Sequence, residues 1–96
     1  MRLLVDLNPA EGVRRPRVVD TQTGRVLLDL WDTWDWDAKV VRNDRASATL
    51  ALRRGGAHVT LELDAEAGTF RLRHVRGRWA ARTLRRRLRA AGLRRG

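Results

Sequence analysis

The 96-residue sequence contains no cysteine, so it offers neither a disulfide framework nor a thiolate metal site, and this suits a reducing compartment. It also has no tyrosine, one serine (Ser47) and two histidines (His58 and His74), which leaves little from which to assemble a nucleophile, its base and an orienting acid. No apolar run approaches the length that spans a bilayer. The opening Met1-Arg2-Leu3-Leu4-Val5 is interrupted by Asp6, far short of a signal-peptide core. These shortages point to a cytoplasmic chain without a membrane span, and they assign it no catalytic residue, metal ligand or cofactor.

One further shortage is local. Residues 1–70 carry ten basic and all eleven acidic side chains, whereas residues 71–96 carry eleven arginines and no acid. The whole net charge of +10 therefore lies on the C-terminal quarter. Lys39 is the only lysine, a preference that a GC-rich genome explains, but codon bias does not explain the segregation of the acids.

What is present reads as one β-rich domain. Three segments share an Asx-x-x-x-Gly pattern: Asn8 to Gly12, Asp20 to Gly24 and Asp64 to Gly68. In each, the Asx side chain accepts from backbone N–H groups ahead of it and glycine takes the left-handed position that closes a hairpin. Gly55-Gly56 adds a fourth, shorter turn. Between turns the apolar residues alternate with period two, most clearly at Val59, Leu61 and Leu63, and again at Phe70 and Leu72 with Arg71 and Arg73 facing the other way. Strands are predicted at about 2–7, 13–20, 25–31, 36–42, 48–54, 57–64 and 69–75. Pro16 lacks a ladder donor and places the second strand at an edge or a bulge.

After Gly77 the period changes to that of a helix, with Ala81, Leu84, Leu88 and Ala91 on one stripe and arginines around it. The stripe is narrow, and Trp79 is expected to pin the helix to the sheet. The predicted fold is mainly β with one C-terminal α-helix. It is an antiparallel up-and-down meander of six to seven strands over residues 1–77, rolled or barrel-like, capped by a basic amphipathic helix at 78–92 and followed by a flexible basic tail at 93–96.

Two constellations are candidates for function. Arg71, Arg73, Arg78, Arg82, Arg85, Arg86, Arg87 and Arg89 form a guanidinium cluster without intervening carboxylates, which attracts phosphate polyanions through charge-assisted hydrogen bonds and counterion release. Nucleic acid is the expected partner. No helix-turn-helix pair, zinc-finger spacing or Asn/Gln-bearing recognition helix is present, so binding is expected to follow the backbone with little sequence preference. An acidic protein surface or a second copy of the chain is the alternative partner, and a solvated face or an anionic membrane surface are the bland readings.

The other constellation is Trp31, Asp32, Trp34, Asp35, Trp36 and Asp37, where indoles beside carboxylates suit a sugar or other small ligand. The ordinary reading is a core face: Trp34 and Trp36 alternate inward with Ala38 and Val40, while Asp35, Asp37 and Lys39 alternate outward. Trp31 is the member expected to be exposed, and the acids are expected to offer a counter-charge to the basic helix.

Overall fold

Alternation and turn chemistry carry most of the architecture. The computed structural model describes residues 1–10, 12–33 and 35–96. Its strands are β1 (Leu3–Ala10), β2 (Val13–Asp20), β3 (Arg25–Asp29), β4 (Trp36–Asp44), β5 (Ser47–Arg54), β6 (Ala57–Asp64), β7 (Thr69–Arg76) and β8 (Arg94–Arg95), with the helix α1 (Arg78–Ala90) between the last two. The first three strands form one antiparallel sheet in the order β1-β2-β3. The rest form a second sheet in the order β4-β5-β6-β7-β8. The sheets meet where β4 lies along β2, and the Arg14 N–H there donates to Asp37 Oδ1 at 2.8 Å. They do not close into a barrel.

Two of the three Asx turns form as their sequences require. The Asp20 side chain accepts from the Gln22 N–H at 3.1 Å and its carbonyl from Gly24 at 2.8 Å, while Asp64 Oδ1 accepts from Ala67 at 2.9 Å. The first of the three segments is used differently. Asn8 and Pro9 sit in the ladder opposite Arg15 and Arg14, so β1 runs three residues beyond its predicted end, and Glu11 lies outside the described residues. Pro9 is tolerated because β1 is an edge strand of its sheet.

Pro16 is placed differently from the sequence expectation. It is buried on the middle strand of three, and the bulge falls at Val18/Val19. The Pro16 carbonyl accepts from Leu30 N–H at 2.9 Å, just beyond the last residue of β3. The N–H that proline lacks would point to that same side, where the ladder has already ended.

The core joins Leu50, Leu52, Val59, Leu61, Leu63 and Phe70 of the larger sheet to Val18, Leu28 and Leu30 of the smaller side, with α1 laid over them through Ala80, Ala81, Leu84 and Leu88. Two adjacent buried alanines let the helix approach the sheet closely, while Trp79 before them is 50% exposed. Gly77 precedes the helix without a side-chain cap. A Cβ there would lie 2.7 Å from that of Ala57, which restricts the position to glycine.

The end of the chain differs from the flexible tail the sequence suggested for residues 93–96. Gly92, at φ +90°, donates to the Arg89 carbonyl at 2.9 Å and Leu93 to the Leu88 carbonyl at 3.1 Å, the two bonds of a Schellman cap. The cap turns the chain back, Leu93 is buried beside the helix, and Arg94 and Arg95 pair in parallel with Thr69 and Phe70. Among the described residues no helix is long and apolar enough to cross a membrane.

Candidate nucleic-acid interface

The phase of α1 decides which arginines face outward. With Ala81, Leu84 and Leu88 inward, the opposite stripe carries Trp79, Arg82, Arg86 and Arg89 at i, i+3, i+7 and i+10, a row about 15 Å long at 1.5 Å per residue. Arg82, Arg85, Arg86 and Arg89 together line a shallow depression on this face. Like charges three and four residues apart repel, each pair costing a helix about 0.2–0.5 kcal/mol. No acid in the first turn offsets this. The helix therefore owes its place to its apolar face, while its outer face holds charge that an anion would relieve.

Of the eight arginines singled out, two are committed within the molecule. Arg73 meets Glu62 at 3.0 Å on the solvated face of the larger sheet, and Arg87 meets Asp32 at 3.3 Å while donating to the Asp29 carbonyl at 2.8 Å. Arg71, Arg78, Arg82, Arg85, Arg86 and Arg89 have no carboxylate partner within ion-pair distance among the described residues. Arg71 and Arg85 come together with Arg95 around a hollow of about 240 Å³ floored by Phe70 and Leu72, and the Arg85 Nε there is buried without a partner. Arg95 was not expected at this surface. Two residues of strand carry no period by which to be found, and only the Gly92-Leu93 pair after a helix end hints at the reversal.

Trp79 meets the sheet through Arg54 and is otherwise half exposed. Its indole carries the Arg54 guanidinium 4.9 Å from the ring centroid, and Arg54 is in turn held by Asp35 at 2.8 Å. Helical phase alone signals its exposure, because Trp79 shares a row with Arg82 and Arg86, not with Leu84.

The Trp/Asp segment is largely used by the protein itself. Trp36 is fully buried, its Nε1 without a partner, with Ala38 buried beside it in alternation. Trp31 is half-buried, covered by the Arg17 guanidinium at 3.7 Å, with its Nε1 donating to the Asp6 carbonyl at 3.4 Å. Asp32, Asp35 and Asp37 are bound to Arg87, Arg54 and the Arg14 N–H respectively. Trp34 lies outside the described residues. Among the described residues no three His, Cys, Asp or Glu side chains converge on a point that could hold a metal ion. His74 follows Leu72 by two residues in β7 but is exposed at φ +51°, because a bulge between β6 and β7 takes it out of the alternation.

Among the described residues, an acid with a strongly shifted pKa stands elsewhere. Asp20 is only 4% exposed and receives two parallel bonds from Arg2, Nε at 2.8 Å and a terminal nitrogen at 2.9 Å. Those bonds, helped by the Gln22 N–H, hold its carboxyl down at about 2 against burial acting the other way, and the Asp20 side chain in turn raises Arg2. This pair fastens the chain start to the β2–β3 turn.

No protein-family model matches the chain, and no curated protein or solved structure matches it either.

Proposed function

We propose that this chain is a small non-enzymatic domain that binds a polyanion, nucleic acid through its phosphate backbone, on the outer face of α1 and the adjoining end of β7. The observation that carries the reading is the row Arg82, Arg86 and Arg89, free of carboxylates on a helix whose other face is fixed in the core. Arg78, Arg71, Arg85 and Arg95 extend it. Guanidiniums in this arrangement fork onto phosphate oxygens. The helix bears no Asn or Gln to read adenine edges, which supports contact with little sequence preference. A cysteine-free chain suits the cytoplasm as the place where it meets nucleic acid.

The reading as non-enzymatic rests on inventory. His58 stands opposite Arg53 and Arg76 in the ladder, and neither neighbour can orient an imidazole as a base. The small-ligand reading of the Trp/Asp segment has less to support it, since Asp32, Asp35 and Asp37 are engaged by Arg87, Arg54 and the Arg14 N–H and Trp36 is buried.

Fluorescence anisotropy with a labelled duplex across a salt series tests the proposal. If about five phosphates are neutralised, log K falls against log salt with a slope of roughly −4 to −5. Absence of binding at low salt, together with salt-sensitive capture of an acidic protein, would move the same arginines to a protein partner.

A further inference from the structure

We infer that Trp79 is a stacking platform for an unpaired base, so that the preferred ligand of the α1 face is single-stranded nucleic acid. The inference rests on the nucleic-acid reading of α1 and names the ligand class.

Three observations carry it. Trp79 is half exposed at the head of the row that continues with Arg82 and Arg86, so an aromatic face and phosphate-binding guanidiniums share one stripe of one helix. The ring is held in place. The Arg54 guanidinium lies 4.9 Å from its centroid and is itself fixed by Asp35 at 2.8 Å, and the indole nitrogen stands close by Gly77, 3.5 Å from where a Cβ would sit. Finally, the other described tryptophans are committed elsewhere, Trp36 fully buried and Trp31 beneath Arg17.

An indole backed by a cation on one side presents its solvent side as a flat apolar surface at fixed height above the helix. Every base has a π-face that fits such a surface, and a base stacked there brings its flanking phosphates toward Arg78 and Arg82. Bases in a duplex have both faces occupied by neighbours and do not reach it. A platform at Trp79 therefore discriminates by strandedness and tolerates sequence, in keeping with a helix that lacks base-reading side chains.

The test is anisotropy titration of the full chain with a single-stranded 20-mer, made as DNA and as RNA, and with a duplex of the same length. The proteins are wild type, Trp79→Ala, Trp79→Phe and the double variant Arg82→Gln/Arg86→Gln. Wild type is expected to bind the single strand more tightly than the duplex. Trp79→Ala is expected to lose roughly 5- to 150-fold on the single strand and almost nothing on the duplex, with Trp79→Phe keeping most of the affinity. Oligonucleotide is also expected to quench tryptophan emission in wild type but not in Trp79→Phe, a readout that stands even if the alanine variant fails to fold. Tighter binding of the duplex, equal single-strand affinity for wild type and a folded Trp79→Ala, or quenching that survives in Trp79→Phe overturns the platform. If the double arginine variant loses binding while Trp79→Ala does not, the platform falls and the phosphate reading stands. If wild type binds none of the three, both fall.

Discussion

Arg87 ties the basic helix to the chain that crosses between the sheets, donating to the Asp29 carbonyl at 2.8 Å and meeting the Asp32 carboxylate at 3.3 Å. The acidic segment thus supplies counter-charge for one arginine of α1 and leaves the outward row uncompensated. Two neighbouring arginines should then behave in opposite ways. Arg87→Ala is expected to lower stability by about 1 kcal/mol, most of it from the carbonyl bond because the Asp32 pair is exposed, with little change in nucleic-acid affinity. Arg86→Gln is expected to leave stability level or slightly higher, by relief of like-charge repulsion, and to weaken binding. Urea melts beside anisotropy titrations separate the two effects.

The Arg2–Asp20 pair gives a pH dependence of defined sign. The Asp20 carboxyl sits at about 2 in the folded chain, below its ordinary 3.8, so the stability it contributes is complete above that ordinary value and is lost as pH falls through about 2. Asp20→Asn is accordingly expected to melt below wild type at neutral pH, with the gap narrowing between pH 4 and pH 2. Thermal melts of both proteins across that range check it. A gap constant with pH would mean that the ion pair is not its source.

Gly92 is the hinge on which β8 depends. At φ +90°, with a Cβ position 3.0 Å from an Arg25 guanidinium nitrogen, Gly92→Ala is expected to cost about 1 kcal/mol or more. The effect should concentrate at the chain end. Amide hydrogen exchange should accelerate at Arg94 and Gly96, which donate to the Gly68 and Phe70 carbonyls, more than in β5 or β6.

The helix is also part of the core, which changes how its role must be tested. Leu84 and Leu88 are fully buried, and Leu84→Ala is expected to cost about 2–5 kcal/mol. A chain ending at Gly77 would expose the face that α1 covers and is expected to fail to fold, as circular dichroism and melting would show. Loss of binding by such a truncation would say nothing about the arginines.

Most of the fold was legible because each signal was local. Period-two alternation marked β5, β6 and β7, Asp20 and Asp64 marked their turns, and the change of period after Gly77 marked the helix. What the sequence hid depends on tertiary contacts or on small departures from period. Pro16 sits on a middle strand because a neighbouring strand ends in time, His74 turns outward at a bulge, and β8 exists because the Schellman cap returns two residues to β7. At the site, composition located the arginines but did not say which were free. Arg73 found its partner across the β6–β7 hairpin, Glu62, and Arg87 one far away in sequence, Asp32, whereas Trp79 took its place from helical phase that the residues did encode.

The central claim, that the outward arginines of α1 neutralise phosphates, is tested most directly by the salt dependence of nucleic-acid affinity in the folded triple variant Arg82→Gln/Arg86→Gln/Arg89→Gln. The account predicts weaker binding and a log K against log salt slope shallower than wild type by about 2 to 3, since each lost phosphate contact removes roughly 0.7–0.9. A folded variant with the affinity and slope of wild type would contradict it.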